Sequence, residues 1–510
     1  MSPTFILLSI VIAYFILLLS IAYITSKGSN NESFFIGNRK SNWMLVAFGM
    51  IGTSLSGVTF ISVPGTVGKM TAGAYPYGAF EYFMLVFGFF LGYFIVSAVL
   101  LPLYYRMNLT SIYTYLGKRF NVEAHKIGSI FFIVSRAIGA TARLYLVVNI
   151  LQLFLLEKLG VPFWVTTFIV LLLVLLYTFE GGVKTIVITD TLQTTFMIVS
   201  LLACIIFILS HLDFSVGQAF SELQSRDYTR LFNMDINSKT FFLKSIIGGM
   251  FITISMTGLD QEMMQKNISV DNVKNAKKNM ISFSFILLFV NLAFLFLGGL
   301  LYLYAIKDGG AYVGKEFHLA GTQVNVMGDD LFPSLSLNGH LPFALSVIFL
   351  IGLISALFPS ADGALTAVTS SFCVDLLKLN ERDEDEKTKK KTRMKVHLSF
   401  TVIFFIIILI FKAIDNKSIV YLIMEIAGYT YGPLLGLFAF GILTKRNIHT
   451  PYAILAVTLI APVLTYLINW MVTANTAYRI GVELIVINGL LTWIGLWLVS
   501  KPNSKSTQIA

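Results

Sequence analysis

Four polar clusters interrupt the apolar runs of this 510-residue chain, and their residue types are those that bind ions and polar solutes. The first is GMIGTSLSGVTFISVPG, residues 49–65. Glycines, hydroxyls and Pro64 in mid-run let a helix come apart there and expose carbonyl oxygens to a cation. The second, IIGGMFITISMTGLDQ at residues 246–261, repeats the theme. The third, GGVKTIVITDTLQTTFMI, carries Asp190 about six residues past Lys184, on the order of 9 Å into a helix. A carboxylate at that depth requires a cation, a proton or an arginine. The fourth, ISALFPSADGALTAVTSS, holds Pro359, which has no N–H and so frees the Ser355 carbonyl. Ser360 and Asp362 add side-chain oxygens beside it. An all-oxygen donor set suits a hard ion such as Na+.

Two arginines, Arg136 and Arg143, lie seven apart and so on nearly one face of a helix. A guanidinium at bilayer depth must find an anion. The choices are an internal acid such as Glu81, Asp190 or Asp362, or a carboxylate carried by a solute. Arg136 lies nearer the middle of its run and is the better candidate for a solute.

The elements that position these groups are membrane helices. Hydrophobic residues make up 56% of the chain and charged residues 13%. The mean hydropathy is +0.78. A soluble chain carries about 25% charge, so this composition excludes a soluble globular enzyme, a disordered protein and a fibrous repeat. About thirteen apolar runs can be read, near 3–24, 43–65, 77–103, 127–156, 161–179, 185–210, 241–259, 280–306, 342–374, 396–413, 418–443, 451–472 and 480–500. They are long enough for helices and lack the alternation of barrel strands. The first has no basic leader and no small-residue cleavage site, so it reads as a retained helix. With the N-terminus outside, inward loops hold 24 Lys and Arg and outward loops 10. That bias predicts N-out and C-in, and accounts for the net charge of +10 without a nucleic-acid partner. The charged stretch 381–395 reads as a solvated inner loop. Cys204 and Cys373 have no metal or disulfide spacing. Phosphate-binding loops, zinc spacings and nucleophile elbows are lacking, so an ATPase or a membrane hydrolase is poorly supported.

The two interrupted runs, the second and the seventh, lie five apart. An odd offset reverses direction, as an inverted five-helix repeat requires. The expected division is an extra helix and inner loop at 1–42, a first five-helix repeat at 43–210, an outer loop at 211–240, a second repeat at 241–443, and two further helices with a tail at 444–510.

The stretch GGVKTIVITDTLQT, residues 181–194, is similar to the G-G-x-K-x-V-x-x-T-D-x-x-Q pattern of the sodium:solute symporter family. SLSG…PG at 54–65, DQEMMQK at 260–266 and GPLLGLFAFGIL at 432–443 resemble the same family, in the same order. The family includes bacterial proline, sugar and sialic acid transporters. The resemblance covers most of residues 1–445 and implies import of a solute driven by sodium, in a multi-pass protein of a cell membrane such as a bacterial inner membrane. It implies a sodium site built from the Gly52, Leu55 and Ala356 carbonyls and the side chains at 359 and 360. Here the chain departs, with Pro359 and Ser360 where the family usually has two hydroxyl residues. The Ser355 carbonyl or Asp362 takes the missing place, or the site is weakened. Asp190 matches a position that in some relatives helps hold a second sodium, and Asp362 falls where those relatives have a serine. For the solute, the resemblance implies Ser56, Thr59, Glu81, Arg136 and Asp260. Sugars, sugar acids and amino acids each fit part of that set. A proton-coupled transporter using Asp190 or Asp362 is the rival reading.

Overall fold

The computed structural model describes residues 3–26, 34–35, 39–68, 78–178, 182–313, 316–322, 326, 328–414, 419–448 and 450–502. Lys184, and the segments 27–33 and 415–418 that carry Lys27 and Lys417, have no described side chains.

Helices dominate the described residues. They are α1 (Pro3–Ser26), α2 (Trp43–Ser54), α3 (Gly57–Thr66), α4 (Tyr82–Arg106), α5 (Val122–Leu156), α6 (Phe163–Thr178) and α7 (Gly182–Leu212). After a connecting segment come α8 (Phe242–Gly258), α9 (Gln261–Ile268), α10 (Val273–Lys307) and α11 (Phe343–Leu376). The chain continues with α12 (Glu386–Ile414), α13 (Ile419–Thr430), α14 (Gly432–Leu443), α15 (Pro451–Asn475) and α16 (Leu484–Val499). Eight helices are long and apolar enough to cross a bilayer alone, and three bent pairs pass the same test together. The bends are 57° at α2/α3, 63° at α8/α9 and 43° at α13/α14. Two shorter apolar helices, α6 and α16, have 16 residues each. The described strands form one short antiparallel hairpin, β1 (Ala311–Val313) and β2 (Glu316–His318), in the segment after α10.

Some helices outrun their apolar stretches. α12 begins at Glu386, ten residues before the apolar run, because the Lys- and Arg-rich segment that precedes it consists of good helix formers. α5 begins at Val122 for a local reason, since Asn121 caps it by accepting from the Ala124 N–H at 2.8 Å.

The broken pair α2/α3 lies at the centre of the packing. α7 and α11 press against it, and close approach is possible because two glycines have no side chain. A Cβ at Gly52 would lie 2.4 Å from Thr194 Oγ1 of α7 and 3.4 Å from the Pro359 ring of α11. A Cβ at Gly57 would lie 2.4 Å from Val147 of α5. α1 closes over α11 through a hydrogen bond of 2.8 Å between the Tyr14 and Ser355 hydroxyls.

Candidate functional site

Among the described residues, the first break leaves backbone oxygens without partners. α2 stops at Ser54, and the Leu55 N–H makes one last turn to the Ile51 carbonyl at 2.7 Å. Ser56 is extended, with φ −76° and ψ 174°, and its side chain does not cap α3. Residues 55 and 56 are outside both helices, so the Gly52 and Leu55 carbonyls have no helical N–H to accept from. They sit at the negative end of the α2 dipole, which favours a cation. α11 passes this point with Pro359, so the Ser355 carbonyl also lacks its helical donor. Ser360 and Asp362 follow, both buried. The Ser360 hydroxyl is turned back onto the Leu357 carbonyl at 2.9 Å. Asp362 accepts from the Tyr177 hydroxyl at 2.6 Å. Backbone carbonyls, a hydroxyl and a carboxylate make a hard donor set of the kind that suits Na+. No group of three His, Cys, Asp or Glu with the arrangement of a transition-metal site occurs among the described residues.

At the second break the protein supplies its own donors. Tyr104 of α4 donates to the Gly258 carbonyl at 2.8 Å, and Tyr113 donates to Leu259 at 2.9 Å. Tyr105 donates to Asn267 and Val270 beyond the break, at 2.8 and 2.9 Å. Asp260 caps α9, accepting from the Glu262 and Met263 N–H groups at 2.9 and 3.2 Å. Its other oxygen accepts from the Tyr431 hydroxyl at 2.7 Å.

A buried ionic network joins the two breaks. Lys266 of α9 donates to Asp190 of α7 at 2.7 Å and to the Thr53 hydroxyl of α2 at 2.6 Å. Thr53 in turn donates to Asp190 at 3.1 Å. The carboxylate that demanded a partner at membrane depth therefore has one inside the chain. Arg136 pairs with Glu262, which also lies 3.7 Å from Lys266, and Arg136 approaches Asp260 at 3.7 Å. The internal acids that meet Arg136 are thus Glu262 and Asp260, and not Glu81, Asp190 or Asp362. The reason is that the second break swings the start of α9 against α5.

Between the breaks lies an open cavity of about 800 Å³. Ser56 at the break, Thr59 of α3 and Arg136 of α5 line it. Thr53, Ser54, Thr253, Thr257, Tyr82, Tyr93 and Arg143 add polar groups, and Val63, Ile252, Met256 and Met424 are among its apolar walls. Asp260 is one layer behind, occupied by its cap and by Tyr431. Glu81 is held elsewhere: Arg230 of the segment after α7 reaches it at 2.9 Å and Thr240 at 3.2 Å. It precedes α4, and the chain after α7 folds over it.

Sequence reasoning missed Glu262, Lys266 and the tyrosines. The signal for the first two was present in DQEMMQK, where charges directly follow an apolar run. The tyrosines gave no signal, since aromatic residues are common in membrane helices.

Residues 34–455 match the sodium:solute symporter family. The sodium/sialic acid symporter NanT of Aliivibrio fischeri is 24% identical over 479 residues, covering 91% of this chain and 88% of its own. SiaT of Proteus mirabilis, another sodium/sialic acid symporter, is 22% identical over 83% of this chain and 82% of its own. Among solved structures, a Na+-coupled sialic acid symporter in a substrate-bound outward-open state superposes with a TM-score of 0.79 at 20% identity, covering 98% of this chain and 99% of that one. The nucleobase–cation symporter Mhp1 in a closed conformation gives a TM-score of 0.54 at 12% identity over 92% and 95% of the two chains. A match over most of the chain, together with the shared fold, establishes that it belongs to the sodium:solute symporter family.

Proposed function

We propose that this protein imports a small polar organic solute by alternating access, with Na+ bound at the first helix break as the driving ion. The observation that carries the reading is the set of uncapped carbonyls at Gly52 and Leu55. They lie within one break whose neighbours, Thr53, Ser54 and Ser56, also line the cavity. Na+ held by the Gly52, Leu55 and Ala356 carbonyls and the Ser360 hydroxyl, with the Ser355 carbonyl in place of the hydroxyl that Pro359 lacks, ties α2/α3 to α11. That fixes the cavity wall carrying Ser56 and Thr59, so sodium raises solute affinity, and by linkage solute raises sodium affinity equally. Asp190 and Asp362 border the ion's surroundings; Asp190 already carries the Lys266 ammonium.

The thirteen apolar runs act as thirteen spans, N-out and C-in, with residues 43–210 and 241–443 as inverted five-helix repeats and the broken helices in equivalent places. Inward sodium supplies about 2.3 kcal/mol per charge per 100 mV, plus its concentration ratio. The solute is a sugar, sugar acid or amino acid. Sialic acid, for which the bacterial relatives NanT and SiaT are named, is one such sugar acid. The site of action is the inner membrane of a bacterium.

The test is uptake into vesicles holding the purified protein, with labelled sugars, sugar acids and amino acids and an inward gradient of Na+ or of choline at fixed pH. Accumulation under Na+ alone is expected. Accumulation that follows a pH gradient and ignores Na+ would replace the sodium reading with proton coupling.

A further inference from the structure

Three large apolar side chains stand out of the segment between α7 and α8. Phe232, Met234 and Ile236 are exposed by 47%, 69% and 59%. They fall at every second position, the spacing of an extended stretch with two sides. Asn233, between them, faces inward, and its amide donates to Thr240 at 2.8 Å and to Ser238 at 3.1 Å. The backbone of the stretch is tied down. Its Asn233 carbonyl accepts from the Phe242 N–H at 3.1 Å, and its Asn237 carbonyl from the Arg479 N–H at 2.9 Å. Between these ties the Asp235 carboxylate accepts from the Asn237 N–H at 3.0 Å and fixes a turn. The exposed side chains are therefore held in place by the polar side of their own segment.

Neighbouring residues set the level of this stretch against the bilayer. The Phe232 ring meets the Phe242 ring edge-on at 5.7 Å, at the first residue of α8. Lys244, in the first turn of α8, sends its ammonium back to the Ser238 and Arg479 carbonyls at 3.0 and 3.1 Å and over the Tyr478 ring at 3.4 Å. A lysine head returned to polar groups beside a tyrosine is the arrangement of a membrane–water boundary. Leu243 and Ile247, one turn apart and 46% and 45% exposed, begin the lipid-facing stripe of α8. Phe232 continues that stripe past the helix end, and Met234 and Ile236 lengthen it.

We infer that residues 232–236 are an interfacial anchor, and that their partner is the lipid surface, headgroups and first methylenes, on the side of the membrane where α8 begins. The three side chains carry no hydrogen-bond donor, so they take the lipid boundary as such and select no headgroup. A second copy of the chain is the competing occupant. Three side chains fall well short of the about 800 Å² that each partner buries in a stable association. The inner side of the same segment reaches the cavity. Arg230 and Thr240 hold Glu81, which directly precedes α4. α4 packs on α8 so closely that a Cβ at Gly88 would lie 2.3 Å from the Ile246 carbonyl oxygen. Tyr82 and Tyr93 of α4 and Thr253 and Met256 of α8 line the cavity. The anchor thus fastens this wall, which lies apart from the α2/α3 break, to the membrane surface. It depends on the chain's crossing a bilayer and on neither the ion nor the solute.

The test puts a nitroxide on Phe232→Cys, Met234→Cys or Ile236→Cys, one at a time, in full-length protein in vesicles of phosphatidylethanolamine and phosphatidylglycerol. The signal of unsubstituted protein, whose Cys204 and Cys373 are buried, is subtracted. Collisions with oxygen, which concentrates in lipid, are compared with those of a water-soluble nickel chelate. Ile460→Cys on α15, at a position 53% exposed, is the lipid reference, and Asp383→Cys is the water reference. Oxygen collisions in excess at all three positions, at a depth shallower than Ile460, are expected. Nickel collisions in excess at Met234→Cys, as at Asp383→Cys, place the stretch in water and overturn the anchor. Shielding of Met234→Cys from both reagents reveals a protein occupant and overturns it as well. If the cysteine variants do not fold, unsubstituted protein in vesicles containing a phospholipid with a diazirine near its glycerol decides. Carbene insertion within 231–241 is expected, and labelling of α15 with none in 231–241 overturns the inference.

Discussion

At the break between α8 and α9, tyrosine hydroxyls take up the freed carbonyls of Gly258 and Leu259, and Asp260 caps the helix that follows. At the break between α2 and α3 no equivalent donor among the described residues meets Gly52 or Leu55, and Ser56 does not cap α3. Both bends are of similar size, 57° and 63°. A bend alone therefore does not mark an ion site. What distinguishes the two, on the function proposed, is whether the protein completes its own backbone hydrogen bonding or leaves it for a cation. Unsatisfied backbone groups at membrane depth are costly, so under the proposed function a chain that fills one break and leaves the other open separates a structural interruption from a functional one.

That contrast can be broken at four points. Removing a partner from the network behind the second break has the largest effect. Arg136→Met strands Glu262 and should lower stability by about 3–5 kcal/mol, seen as early unfolding of the detergent-solubilised protein on heating. The double change Arg136→Met with Glu262→Met should recover most of it, and a stable single variant would contradict a structural role. Tyr104→Phe and Tyr113→Phe each leave a carbonyl without its donor and should cost about 1–3 kcal/mol, with sodium affinity unchanged. A tenfold weaker sodium response in either would mean that the second break also binds the ion. Gly52→Ala forces a methyl group against Thr194 Oγ1 and should weaken sodium activation of uptake about tenfold, equivalent to about 1.4 kcal/mol. Thr194→Ala in the same chain makes room and should restore part of it. Smallest is Ser360→Ala, which removes one of several ligands and should shift the sodium midpoint a few-fold, with stability within about 1 kcal/mol of wild type. An unshifted midpoint would remove Ser360 from the site.

The breaks were legible in the sequence because their cause is local: small, hydroxylated and proline residues inside apolar windows announce a helix that can open. Ser56, Thr59 and Arg136 were legible as polar residues at membrane depth, and the structure brings them to one cavity. Their partners were not. Arg136 and Glu262 are 126 residues apart, and Lys266 and Asp190 are 76 apart. Periodicity assigns a face to each charge but not the charge opposite. Glu81 shows the other limit. The family resemblance implied a solute contact for it, but the segment after α7, with no hydropathy signal of its own, brings Arg230 and Thr240 to it. The difference between Arg136 and Arg143 is of the same kind, since two arginines on one helix face look alike until α9 is placed beside one of them.

Lys266 carries a consequence for the other half of the transport cycle. After delivering its cargo, a carrier must turn round empty, and an exposed cluster of acids would make that return stroke slow. The ammonium on Asp190 and beside Glu262 is covalently part of the chain, so it does not depart with the cargo. The unloaded protein keeps a resident counter-ion at its heart and can reset without waiting for the next one to arrive.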